Sequence, residues 1–468
     1  MSKKRELGPL DQRKRVVRCE SCAVRKIKCT GGTPCDACIR RGKACRRRTS
    51  EPPEAVFVFY EETKSQHASL PAQMSRNTAS VFVDQFFAFL SCNQFVPCFN
   101  TLGGALLPLV EQSSLLSSIA SAIGALHASR RGFSARYSQA DSPEFQALQL
   151  YSRSIESLKG ALAEAKVHGR DDVLWATFLS GIFELMIDST GDGWANHMLH
   201  GTSRLIQAAG PERSISLPRQ VFGQVFQIFE ANRVLVYGGG TILNSESWTA
   251  IYQSESSGTD TWDALSAISS RMVQVYDFTA RYGSLAFVSM MFPRCTLSSW
   301  TSRFYDHVRK FPVSDIVDPV LESFGLEAHL LQNDLLELRA RLLGLETGDG
   351  GSLQPHLAQV YCLYMIITIF NAFDYYQCWH LSHTPHISLL ELSTFVDQII
   401  WRSSLVLNTP GGPGVLLLPP LRGAVTRARK DDQRSSILDL LDQIHKQGFE
   451  VANRVKEDID ILWASTAN

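Results

Sequence analysis

The chain has 468 residues, 46 Lys+Arg against 46 Asp+Glu, and 44% hydrophobic residues; that much apolar side chain supports a large buried core and excludes an intrinsically disordered protein. The zero net charge hides a division, because residues 1–50 hold 16 Lys+Arg and four acids (Glu6, Asp11, Glu20, Asp36), a surplus of +12, and the other 418 residues carry the matching −12. A basic head on an acidic body points to an anionic partner, nucleic acid first, met by one end only.

Residues 1–18 read as a basic arm. Met1-Ser-Lys-Lys-Arg-Glu6 leads into further basic residues and not into an apolar stretch, so no secretory signal is expected. The longest strongly apolar run, Val360 to Phe373, is too short for a bilayer and is interrupted by Thr368 and Asn371, so it reads as a core helix and no membrane partner is expected. The expectation is a cytosolic or nuclear chain whose thiols stay reduced.

The cysteines are as uneven as the charge. Six of the eleven fall in one short stretch, Cys19, Cys22, Cys29, Cys35, Cys38 and Cys45, two copies of C-x2-C-x6-C joined by a five-residue spacer. In a reducing compartment this is a metal framework and not a disulfide one. Thiolate softness and tetrahedral preference make zinc the expected metal. Two tetrahedral ions need eight sulfur bonds, so six thiolates suffice only if two of them bridge; the repeat suggests Cys19 and Cys35, the first member of each half. One four-cysteine site with two spare thiols is the alternative, and it leaves the second copy unexplained.

Arg25, Lys26 and Lys28 lie between the second and third cysteines, on a segment held at both ends. Lys26 is expected to donate to guanine O6 and N7 in the major groove, with Arg25 and Lys28 as phosphate clamps that fix register. Arg40, Arg41 and Lys43 occupy the matching loop and are expected to hold the backbone of the other strand. The plainer alternative is solvated charge on a small metal knot. Basic runs at Lys3-Lys4-Arg5, Arg13-Lys14-Arg15 and Arg46-Arg47-Arg48 flank the cluster and read as nuclear import or DNA-contact segments.

Cys19-Glu-Ser-Cys22-Ala-Val-Arg25-Lys26-Ile-Lys28-Cys29, followed by Pro34-Cys35-Asp-Ala-Cys38 and Arg41-Gly42-Lys43-Ala-Cys45, resembles the fungal binuclear zinc cluster transcription factors. The resemblance implies two zinc ions held by six thiolates, bridged by the first and fourth cysteines, with two short helices packed around the metals. It also implies nuclear action on RNA polymerase II genes, with the first helix in the major groove of double-stranded DNA reading a CGG-type triplet. Ala23 stands where the family often has a base, and Thr30 where it often has an acid.

Residues 49–78 read as a linker, with Pro52, Pro53 and Pro71 and no packed periodicity. Within it, Val56-Phe57-Val58-Phe59-Tyr60 between Glu54 and Glu61-Glu62 reads either as a co-regulator peptide or as a segment that docks on the body. No apolar heptads follow Cys45, so no coiled coil is expected; a homodimer formed through the body stays open.

Residues 79–468 read as an all-α regulatory domain. Leu148, Tyr151, Ile155, Leu158 and Leu162 share one helix face behind Asp141-Ser142-Pro143, an N-terminal signal. Val173 to Ile187 predicts a core helix, Gly191-Asp192-Gly193 a turn, and the next helix runs to Gly210-Pro211. Further helices are expected over 218–238, 261–282, 320–345, 354–379, 388–407 and 433–463. Trp194-Ala-Asn-His197-Met-Leu-His200-Gly201, Leu205-Ile206 and Gly210-Pro211, with Leu421-Arg422-Gly423-Ala424 and the terminal Ile461-Leu462-Trp463, resemble the fungus-specific regulatory region found behind many such clusters. That resemblance implies a helical domain that is often auto-inhibitory or responsive to a small-molecule effector.

No G-x-S-x-G, H-E-x-x-H or nucleotide-binding glycine pattern occurs, so an enzyme is not expected. His197 and His200 read as packing or hydrogen-bonding groups, Cys92 and Cys98 as buried small apolar residues, and Gly238-Gly239-Gly240 as a turn. The expected function is sequence-specific, zinc-dependent regulation of transcription. The alternative is a zinc knot binding protein or RNA on a helical scaffold; bases, where such a knot would carry aromatics, weigh against it.

Overall fold

The structure, a computed structural model, describes residues 19–25, 27–46, 78–95, 99–132, 142–164, 167–210, 216–245, 264–285, 319–346, 353–374 and 385–466. The peptide Val56–Tyr60, the basic runs at 3–5 and 13–15, Arg47, Arg48 and Cys98 lie outside them. Two compact units divide the chain, Met1–Ser75 and Arg76–Asn468. Among the described residues every regular element is helical and none is a strand, so the expected all-α class holds.

In the first unit two short helices, α1 (Glu20–Val24) and α2 (Asp36–Ile39), each begin on a cysteine. Helices this short do not persist alone in water, because nucleation costs more than so few hydrogen bonds return. The residues buried around them are Cys19, Cys22, Cys29, Cys35 and Cys38, with Ile27, Ala37 and Cys45 half-buried against them. An apolar core is therefore not what holds this unit.

The second unit is held by one. It begins with α3 (Thr78–Cys92), α4 (Phe99–Gln112), α5 (Ser114–Arg130) and α6 (Pro143–Leu162). The expected signal opens α6, where the Ser142 hydroxyl accepts the Phe145 N–H at 3.2 Å and Pro143 fills a first-turn position that needs no donor. Small side chains along α5 let α3 close on it; a Cβ at Gly124 would lie 1.8 Å from the Phe82 carbonyl oxygen, so only glycine fits there.

Helix α7 (Asp171–Ile187) is the core helix that the apolar run predicts. The helix expected up to Gly210 runs without a break from Asp192 to Ala209, as α8 (Asp192–Asn196) and α9 (Ser203–Ala209) joined by a π-helical stretch over His197–Thr202. His197 is a hydrogen-bonding group, its Nε2 lying 3.3 Å from the Tyr151 hydroxyl, which also pairs with Glu184. Burial lowers the His197 pKa, with Glu184 opposing.

Trp175 links α7 to α10 (Leu217–Tyr237): its indole donates to the Pro218 carbonyl at 3.1 Å, and its ring meets Phe222 edge-on at 5.0 Å. At the end of α10 the buried Arg233 pairs with both oxygens of the buried Glu230, at 2.8 and 2.7 Å. It also donates to the carbonyls of Gly238 and Gly240 at 2.8 and 2.9 Å, so the triple-glycine turn supplies acceptors to a desolvated guanidinium.

Then follow α11 (Ala264–Leu285), α12 (Pro319–Glu346) and α13 (Gln354–Asp374). By length and composition α13 is long and apolar enough to cross a membrane, yet 78% of its most apolar window is buried within the body, as for a helix that is hydrophobic on all sides in a large core. The chain finishes with α14 (Leu389–Asn408), α15 (Leu418–Val425), α16 (Asp431–Lys446) and α17 (Val451–Thr466). The single helix expected over 433–463 is thus two, broken at Gly448, whose φ of 114° favours glycine. Helix α15 is not among the expected elements; Pro419 and Pro420 both sit in its first turn, where N–H groups have no intrahelical partner.

Candidate metal centre and nucleic-acid interface

Cys19 and Cys35 are the N-cap residues of α1 and α2, and Cys22 and Cys38 are the third residues of those helices. The C-x2-C spacing is therefore one helical turn, which brings both sulfurs to the same end of each helix. Glu20 and Asp36 follow the caps, where an acid suits the positive end of the helix dipole.

The two halves repeat at an offset of sixteen residues, down to single backbone hydrogen bonds. Ala23 N donates to Cys19 O at 2.9 Å and Ile39 N to Cys35 O at 3.0 Å; Ile27 N donates to Cys22 O and Lys43 N to Cys38 O, both at 3.2 Å. At one point the halves differ in chemistry. Glu20 N donates to the Arg46 carbonyl at 3.1 Å, whereas its counterpart Asp36 N donates to the Thr30 hydroxyl at 3.3 Å. Thr30 stands where the family often has an acid, and the structure gives it this contact at the start of α2.

The sulfurs converge. Cys19 Sγ lies 3.8 Å from Cys35 Sγ and 3.7 Å from Cys38 Sγ, and Cys22 Sγ lies 3.6 Å from Cys35 Sγ. A tetrahedral zinc with bonds of about 2.3 Å separates its sulfurs by about 3.8 Å, so these spacings are those of tetrahedron edges. The six sulfurs form two sets of four, each within 4.8 Å: Cys19, Cys22, Cys29 and Cys35, and Cys19, Cys35, Cys38 and Cys45. Cys19 and Cys35 belong to both. The N–H of Cys22 lowers the Cys19 thiol below its ordinary pKa and the N–H of Cys38 does the same for Cys35, while burial raises Cys22 and Cys38.

Around this knot Arg25, Lys28, Arg40, Arg41 and Lys43 are all exposed, and none is in an ion pair among the described residues. Arg40 Nε reaches the Asp36 carbonyl at 3.5 Å. Lys26 lies outside the described residues. Val24 and Ile39, the last residues of α1 and α2, are 81% and 59% exposed.

Compared with known families, residues 17–54 match the fungal Zn(2)-Cys(6) binuclear cluster domain, and residues 78–468, most of the chain, match the fungal specific transcription factor domain. The chain belongs to the fungal-specific transcription factor family. Both matched domains are transcription-factor domains and not enzyme families. No curated protein and no solved structure matches the chain. This transcription factor regulates transcription, binds DNA and takes two zinc ions in its N-terminal cluster. The chemistry of the site suits that load: soft thiolates, five of the six buried, at tetrahedral spacing, with no hard oxygen ligand among the described groups that could hold a metal.

Proposed function

We propose that residues 19–48 are a sequence-specific DNA reader in which Cys19, Cys22, Cys29, Cys35, Cys38 and Cys45 hold two zinc ions, with Cys19 and Cys35 bridging. The observation that carries this reading is the membership of Cys19 and Cys35, and of no other residue, in both sulfur sets. Bound zinc supplies structural cross-links, closing two loops that lack a hydrophobic core. Six thiolates on two zincs trim the surplus charge of the head only to about +10, so the knot still favours a polyanion.

In this reading Lys26 contacts a CGG-like triplet in the major groove. Arg25 and Lys28 clamp phosphates of one strand, and Arg40, Arg41 and Lys43 those of the other. Residues 1–18 form a basic arm, 49–78 a linker and 79–468 an all-α domain that regulates the reader, through co-regulators or an effector, on RNA polymerase II genes in the nucleus. No catalytic step is proposed. Support for this division comes from the split at Ser75 and the family match that begins at residue 78.

Selection from random double-stranded DNA by the full-length, zinc-loaded protein tests the reading. Enrichment of a CGG-like triplet is expected, and its copy number and spacing report whether one or two chains bind. Recovery of no preferred sequence overturns the reading in favour of a zinc knot that binds protein or RNA.

A further inference from the structure

The body contains a half-open cavity of about 100 Å³ between α7, α8, α10, α15 and α17. Its wall is mainly apolar: Leu185, Phe229, Leu418 and Val455 line it and are all buried. A closed cavity of roughly 150 Å³ with such a lining accepts benzene, so the apolar part of this half-open one suits an aliphatic tail of about three or four carbons.

Polar groups gather at one side of the same space. Asp458 pairs with Arg422 at 3.0 Å and with Arg454 at 3.1 Å, and the Asp192 carboxylate completes a lining of two cations and two anions. A lone anion or cation entering here meets a like charge as well as an opposite one. A molecule carrying both signs meets a partner for each.

Two donors on residues that line this space have no hydrogen-bond partner among the described residues. Tyr237 has no hydrogen-bond partner for its hydroxyl among the described residues, and that group lies within electrostatic reach of Arg422, Asp192 and Asp458. Burial is the main cause that pushes its pKa up to about 12. Trp194, only 6% exposed, meets the Tyr237 ring edge-on at 5.5 Å, and its indole N–H has no partner. The Trp194 donor is buried, and a buried donor left unpaired costs free energy that a ligand oxygen recovers. Gly191 is what lets the tyrosine sit there, since a Cβ at that position would lie 2.3 Å from the Tyr237 hydroxyl oxygen.

We propose that this cavity binds an aliphatic α-amino acid: the short branched tail fills the apolar wall, the carboxylate faces the arginines and Tyr237, and the ammonium faces Asp192 and Asp458. The site rests on the body alone, so failure of the DNA reading leaves it standing.

Isothermal titration calorimetry on the full-length, zinc-loaded protein tests it, with valine and leucine as probes against isovalerate, which lacks the ammonium, and isoamylamine, which lacks the carboxylate. Either amino acid is expected to bind at least tenfold more tightly than both analogues. Tyr237→Phe removes only a hydroxyl that has no partner, so the fold is retained and binding weakens severalfold. Val455→Phe, checked for native helicity by circular dichroism, blocks the cavity and abolishes binding. The proposal is overturned by absence of heat with both amino acids, by equal binding of isovalerate, or by unchanged affinity in both variants.

Discussion

The two units of this transcription factor are held in shape by different chemistry. In the first, the buried groups are cysteines and the helices last barely one turn, so order depends on bonds from sulfur to metal. In the second, order comes from burial: Trp175, Phe178, Phe222 and Phe229 interlock edge-on, and even a charged pair, Glu230 with Arg233, is fully enclosed. One unit is sensitive to the supply of an ion, the other to the volume and pairing of its side chains.

Removing zinc should separate the two most sharply. Structural zinc contributes apparent binding free energies of about 10–16 kcal/mol, so a chelator is expected to unfold residues 19–46 and abolish DNA binding. The thermal unfolding of the body, followed by circular dichroism, should not move; a large shift would break the comparison. The reverse cut is Glu230→Ala, which strands a buried guanidinium and should cost the body about 3–5 kcal/mol in denaturant melts while the zinc content stays at two ions.

Smaller effects separate roles within the reader. Lys26→Ala is expected to lose about 1–3 kcal/mol on the selected site and to relax base choice, measured as the ratio of specific to random DNA affinity. Equal weakening on both DNAs would make Lys26 a phosphate contact. Arg25→Ala should weaken all sequences alike and flatten the salt dependence by about one unit of slope. Least of all, Thr30→Val removes the acceptor for the Asp36 N–H and should lower stability of the zinc-loaded head by about 0.5–1.5 kcal/mol; no change would mean that water replaces the hydroxyl.

What the sequence disclosed follows the same division. A metal knot is local, so the cysteine spacing carries nearly all of its plan, and the sixteen-residue repeat was visible as a doubled motif. The part of Thr30 was not visible, because its hydroxyl does what a backbone carbonyl does in the other half. In the body, helices with clear caps were legible, as at Ser142 and Ser388. The break at Gly448 was not, since apolar periodicity continues on both sides of it. The cavity could not be read at all: its walls run from Leu185 to Asp458 and meet only through tertiary packing.

The two sulfur sets share the edge between Cys19 and Cys35. On the bridging reading, the first ion to arrive fixes two of the four ligands of its neighbour and removes most of the entropy its neighbour would have had to overcome. Half-loaded chains are then scarce, and uptake is cooperative. The fraction of functional reader rises with free zinc more steeply than one independent site allows, as a threshold and not in proportion.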